Sequence, residues 1–100
     1  MRIKKGFILR EMAGSSYAVP VGEQAGRFRG MVRLNETGTF LWRELEKGVS
    51  REELIGAILE EYEGIAPEEA GKDVDDFLAE IAFALEEDGT EEDTIGTRAL

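Results

Sequence analysis

The sequence contains neither cysteine nor histidine. Without cysteine it can form no disulfide, and it offers no thiol nucleophile and no thiolate ligand for a metal. Without histidine it lacks the side chain that most often acts as a general base near neutral pH. We therefore expect no catalytic residue, no metal site and no cofactor, and the composition favours a protein that binds a partner over one that catalyses a reaction.

Long hydrophobic runs are missing as well. Near the N-terminus the only apolar run is Phe7-Ile8-Leu9, which is too short for the hydrophobic core of a signal peptide. Nowhere do about 20 apolar residues follow one another, as a transmembrane helix would require. We therefore expect a cytoplasmic protein that makes no contact with a membrane.

Charges of opposite sign are concentrated in different parts of the 100-residue chain. Residues 1–33 hold seven Lys or Arg and two acidic residues, whereas residues 34–100 hold five basic and twenty acidic ones. A chain of this length forms one small domain. The two parts of that domain therefore carry opposite electrostatic fields, which steer charged partners.

The apolar residues of the first third of the chain alternate with polar ones, which predicts three antiparallel strands. Residues 13–16 suit a tight turn, and residues 22–26 suit a longer connection. If consecutive strands pair, the first and third strands lie at the two edges of the sheet. The alternating positions are Phe7 and Leu9 in the first strand, Tyr17, Val19 and Val21 in the second, and Phe28, Val32 and Leu34 in the third.

After the strands the apolar spacing becomes helical. Asn35 is a favourable N-cap for a first helix that ends near Gly48. Ser50 and Glu53 form a capping box for a second helix, which ends at Gly64. The apolar stripes are Leu41, Trp42 and Leu45 in the first helix, and Leu54, Ile58, Leu59 and Tyr62 in the second.

A third helix opens at Pro67, because proline is favoured at the first helical position. Phe83 projects nearly opposite its apolar stripe, so we expect this ring on the surface, either as an isolated exposed aromatic or as a contact for a partner. Beyond Glu87, the polar composition of residues 88–100 predicts a mobile acidic tail. The stripe consists of Ala70, Val74, Phe77, Leu78, Ile81 and Leu85.

The predicted third strand, residues 27–34, is basic and leads directly into the first helix. If its apolar residues face the core, Arg27, Arg29, Met31 and Arg33 share the opposite face. A peptide that added as a further strand at this edge would gain main-chain hydrogen bonds, and the three arginines suggest an acidic ligand. The alternative is a solvated basic face that only protects the edge from aggregation.

Part of this pattern resembles the coenzyme PQQ synthesis protein D (PqqD) family. The most specific part is Leu34-Asn35-Glu36-Thr37-Gly38 with Trp42 shortly after it, and the resemblance covers about residues 3–87. It implies an α+β domain over residues 1–87, with a three-stranded antiparallel sheet followed by three helices, similar to winged helix-turn-helix domains. The matching segments are Ala18-Val19-Pro20-Val21-Gly22, residues 28–38, Leu41-Trp42 and Leu45.

The resemblance also implies a function. Domains of this family hold the leader segment of a ribosomally made precursor peptide as an added strand, in a groove completed by the third helix. They present it to a modifying enzyme, commonly a radical S-adenosylmethionine enzyme, in PQQ biosynthesis and in pathways to many unrelated products. The peptide-binding residues carried over to this chain are Arg27, Phe28, Arg29, Gly30, Met31, Val32, Arg33 and Leu34 on the strand, and Val74, Phe77, Leu78 and Ile81 on the helix.

Other interpretations remain open at this point. The four helix residues are equally candidates for the core. A winged-helix protein that binds DNA would use the basic strand, but the acidic helices argue against an approach to a polyanion. An adaptor that recognises a folded protein is a further alternative, and the unpaired edge strand could also form a homodimer. The acidic residues at 73–76 are expected to be a solvated helix face, not a metal site.

Overall fold

The structure is a computed structural model that describes residues 1–86. The predicted tail, residues 88–100, lies outside the described residues. Within residues 1–86, five strands and three α-helices follow one another in an α+β arrangement, and short 3₁₀ helices cover Gly22–Gly26 and Ala82–Ala84. The strands are β1 (Arg2–Ile3), β2 (Phe7–Met12), β3 (Ser15–Pro20), β4 (Val32–Leu34) and β5 (Leu85–Glu86), and the helices are α1 (Glu36–Glu46), α2 (Arg51–Glu61) and α3 (Pro67–Glu80).

The predicted three-stranded antiparallel sheet is confirmed. It has the order β2-β3-β4, so β2 and β4 are its edge strands, as expected. A two-residue turn, Ala13-Gly14, joins β2 to β3, and both residues have left-handed φ angles, of 52° and 81°. Turns of this kind match the right-handed twist of the strands that they connect. Pro20 is the last residue of β3, where its missing N–H does not interrupt the ladder.

The third strand is much shorter than the sequence pattern indicated, and the prediction of a strand over residues 27–34 is wrong. The chain remains in a turn conformation from the 3₁₀ helix as far as Phe28, whose N–H donates a hydrogen bond to the carbonyl of Gln24 at 2.9 Å. Gly30 then adopts a left-handed φ of 79°, and pairing with β3 begins only at Val32. Arg33 therefore lies on the strand, whereas Arg27 lies in the preceding loop.

A second, two-stranded sheet pairs β1 with β5, and the sequence pattern gave no sign of it. Helix α3 ends at Glu80, and the chain reaches β5 through a 3₁₀ turn, so Leu85 does not continue the helical stripe. This turn also changes the direction of Phe83, and the prediction of an exposed ring is wrong. Phe83 is half-buried, and its ring centroid lies 5.4 Å from that of Phe7 and 5.9 Å from that of Phe28.

The predicted helix starts are confirmed. Asn35 Oδ1 accepts a hydrogen bond from the N–H of Gly38 at 2.7 Å, and Ser50 with Glu53 forms the complete capping box of α2. Pro67 opens α3. The end of α2 is less well predicted, because the helix stops at Glu61, before Gly64. The predicted inward position of Leu59 is also wrong, since its side chain is exposed.

The core lies between one face of the sheet and the three helices. Trp42 is its largest fully buried side chain, and its indole Nε1–H donates to Glu46 Oε2 at 3.1 Å. No polar or charged residue among residues 1–86 is buried, and no helix in this range is long and apolar enough to cross a membrane. The core consists of Phe7, Ala18, Leu34, Leu41, Trp42, Leu45, Leu54, Ile58, Ala70, Val74, Phe77, Ile81 and Ala84.

Candidate functional site at the free edge of β4

The outer edge of β4 has free main-chain groups whose direction follows from the strand register. In an antiparallel sheet, these groups point to alternate sides at successive residues. Val21 donates to the carbonyl of Gly6 at 2.8 Å, so odd-numbered residues of β3 face β2 and even-numbered ones face β4. Ala18 is opposite Val32, and Ser16 is opposite Leu34. The N–H and C=O of Arg33 therefore point away from β3.

A cleft runs beside this edge, between α3 on one side and β4 with the first turn of α1 on the other. Its two adjoining cavities have volumes of about 600 Å³ and 350 Å³, and Asn35, Gly38 and Glu80 line both of them. We call it the β4–α3 cleft. Its remaining lining residues are Arg33, Leu34, Thr37, Leu41, Asp73, Asp76, Phe77 and Ala79.

Gly38 allows α1 to approach α3 closely at the floor of the cleft. A Cβ atom added there would lie 3.2 Å from Cε1 of Phe77 and 3.2 Å from Oδ1 of Asn35. Phe77 is held by the core, and the Asn35 oxygen is held by its capping hydrogen bond, so neither can move away easily. The absence of a side chain at Gly38 therefore determines how closely α1 approaches α3.

We expect Gly38→Ala to be less stable than Gly56→Ala. Both glycines lie within helices, where alanine is favoured by about 1 kcal/mol. Gly56 has open space around it and should gain that amount, whereas the contacts at Gly38 should cancel or reverse the gain. Urea unfolding of the two variants and the parent chain measures the difference. Equal stabilisation by both substitutions would contradict the tight contact with Phe77.

A second, mainly apolar pocket adjoins the N-terminal end of β4. Its volume is about 280 Å³, and the loop before β4 forms one side of it while Phe83 forms another. Met31 is 53% exposed there, a high value for a large apolar side chain. The other lining residues are Ala18, Pro20, Phe28, Arg29, Gly30 and Val32. Val32 lines the pocket and Arg33 lines the cleft, so the two depressions involve successive residues of β4.

The structure distributes the twelve predicted peptide-binding residues over four environments. Arg33, Leu34 and Phe77 line the cleft, whereas Phe28, Arg29, Gly30, Met31 and Val32 line the apolar pocket. Val74 and Ile81 are completely buried in the core, and Leu78 packs against that core. Arg27 is exposed at the end of the 3₁₀ helix and lines neither the cleft nor the apolar pocket.

The acidic residues of the cleft are not among the predicted peptide-binding residues. Asp73, Asp76 and Glu80 follow a spacing of i, i+3 and i+7, which places them along one side of α3, next to the apolar stripe. That spacing was visible in the sequence. The spacing alone did not indicate a site, because an acidic helix face is ordinarily only a solvated surface.

Two other charged residues of α3, Lys72 and Asp75, form salt bridges. Arg51 of α2 donates to both carboxylate oxygens of Asp75, at 2.7 and 2.9 Å, and these hydrogen bonds lower the pKa of Asp75. Lys72 donates to Asp76 at 3.0 Å, which raises the pKa of Lys72. Among residues 1–86, no group of acidic side chains is arranged to hold a metal ion.

The fold and the cleft together define a class: a small α+β domain with a free strand edge beside a helix-walled groove. The sequence profile of the family described as coenzyme PQQ synthesis protein D (PqqD) matches residues 7–84. This protein belongs to the PqqD family. No match was found among curated proteins.

A solved structure has the same fold. It is described as TbiB1 in complex with the TbiA(beta) leader peptide, and it is 25% identical to this chain with a TM-score of 0.66. The alignment covers 83% of this chain and 90% of the other. The two proteins are thus similar over nearly the whole domain.

Proposed function

We propose that this protein is a non-catalytic peptide carrier that binds the leader segment of a ribosomally made precursor peptide as an added strand on β4. The observation that carries the proposal is the outward direction of the Arg33 N–H and C=O, beside the β4–α3 cleft. An extended peptide can pair with such groups while its side chains enter neighbouring pockets. The similar structure of TbiB1, which holds a leader peptide, supports this assignment.

The bound leader would be presented to a separate modifying enzyme. Family resemblance suggests a radical S-adenosylmethionine enzyme, because such enzymes commonly act with PqqD domains. A carrier role suits the composition of the chain, which offers neither cysteine nor histidine for chemistry of its own. The acidic wall of the cleft also disfavours DNA as the ligand, since a polyanion would meet Asp73 and Glu80 there.

An amide chemical-shift titration of the whole chain tests the proposal. The probes are the leader segments of short peptides encoded beside this protein, each with a scrambled version as control, and duplex DNA is tested separately. We expect shifts concentrated in residues 31–35 and 73–80 with one leader and none with its scrambled form. Silence towards every peptide, with shifts on adding DNA or a folded neighbouring protein, would overturn the proposed function.

A further inference from the structure

Charges of opposite sign lie near β4, in the β4–α3 cleft and in the apolar pocket before the strand. In the cleft, Asp73, Asp76 and Glu80 form the α3 wall. Arg29 lines the apolar pocket that adjoins the start of β4. Between them, Arg33 and Glu80 line the same cavity without forming an ion pair, so the sign of the charge changes along β4.

Several of these charges form no ion pair in the part of the chain that the structure describes. Asp73 and Glu80 form no ion pair within residues 1–86, and neither do Arg29 and Arg33. All four side chains belong to exposed residues. These four side chains are therefore available to a ligand, whereas Asp76 forms a salt bridge with Lys72.

The positive end of the α1 dipole does not neutralise the negative charge of the acidic residues on α3. A helix N-terminus attracts anions through its free N–H groups. Here the Asn35 side chain already accepts the N–H of Gly38, and the first turn contains Glu36. The α1 end of the cleft consequently favours a cation.

The acidic wall of α3 is about as long as a short stretch of extended peptide. Asp73 and Glu80 are two helical turns apart, a separation of about 10 Å along the helix axis. An extended peptide covers that distance in about three residues. A peptide paired with β4 would therefore have one end beside the acidic wall and the other end near Arg29.

We propose that the cleft and the apolar pocket together select a leader segment of mixed charge, with basic residues along the wall formed by Asp73 and Glu80 and an acidic residue towards Arg29 and Arg33. This inference rests on the proposed function and changes the expected ligand, because three arginines on one strand face suggest an acidic peptide. Only Arg33 lies on the strand, and the opposite wall of the cleft is acidic.

Selection from a display library of random 12-residue peptides tests the proposal without knowledge of the natural leader. The library is screened against the whole chain, against the double variant Asp73→Lys/Glu80→Lys, and against the matched control Glu60→Lys/Glu63→Lys. The control makes the same change in net charge at exposed residues that do not line the cleft. One selected peptide is then synthesised, together with a form in which its basic and acidic residues are exchanged.

We expect basic residues at one end of the aligned peptides and acidic residues at the other. Exchanging them should weaken binding to the parent chain and to the control about three- to tenfold, as suits exposed ion pairs. The cleft variant should lose its preference for the basic residue. Peptides that are acidic throughout, or that bind the cleft variant equally well, would overturn this inference and leave the proposed function standing. A screen that enriches no peptide would count against both.

Discussion

Replacing Trp42 by alanine should lower the free energy of unfolding by about 3–5 kcal/mol, the usual cost of removing a large buried aromatic side chain. Trp42 is completely buried and lies in the core together with Leu41 and Leu45 of the same helix. Small domains are stable by only about 5–15 kcal/mol, so this loss removes a large fraction of the total. Urea unfolding followed by circular dichroism measures it.

Two further variants separate the packing of Trp42 from its hydrogen bond. Trp42→Phe keeps most of the apolar volume and should cost about 1–2 kcal/mol, part of it the loss of the indole hydrogen bond to Glu46. Glu46→Ala removes only an exposed acceptor and should change stability by less than about 1 kcal/mol. If Trp42→Ala and Glu46→Ala had the same free energy of unfolding, the packing of the indole in the core would not stabilise the domain.

The second large effect is expected from Arg33→Pro, which should weaken peptide binding. The N–H of Arg33 points away from β3, so Arg33→Pro removes no hydrogen bond from the sheet and should leave the domain folded. An added peptide strand, however, needs that N–H as a donor. The lost hydrogen bond and the obstruction by the proline ring should weaken leader binding at least about tenfold.

The matched control for this prediction is Arg33→Ala, which removes the guanidinium and keeps the N–H. It should weaken binding by no more than about fivefold, the range of an exposed ion pair. Val32→Pro serves as a second control, because the Val32 N–H faces β3 and its loss should destabilise the sheet itself. If Arg33→Pro and Arg33→Ala bind the leader equally well, the peptide does not pair with this edge.

Local signals predicted much of the fold correctly. Asn35 and the capping box at Ser50 satisfy main-chain groups of their own helices, whereas Pro67 stands where no N–H is needed, and each helix begins where they indicate. The alternation around Tyr17 and Val19 indicated the sheet. These features depend on neighbouring residues along the chain, which is why sequence alone could detect them.

The site was predicted less completely, because it depends on contacts between distant segments. Val74 and Ile81 share a helical stripe with Phe77, and only the packing of α3 decides that the first two are buried while Phe77 also lines the cleft. Similarly, the bond from Phe28 to Gln24 keeps the loop out of the sheet, and alternation could not reveal it. The acidic residues line the candidate site only because α3 packs beside β4.

Local geometry and composition are sufficient to predict the α+β class, the starts of the helices and the opposite net charges of residues 1–33 and 34–100. The tertiary structure decided the length of β4, the outward direction of the Arg33 main chain and the pairing of β1 with β5. It also decided which charges meet across the cleft. Each of these results from long-range packing, where the burial of apolar side chains overrides local preference.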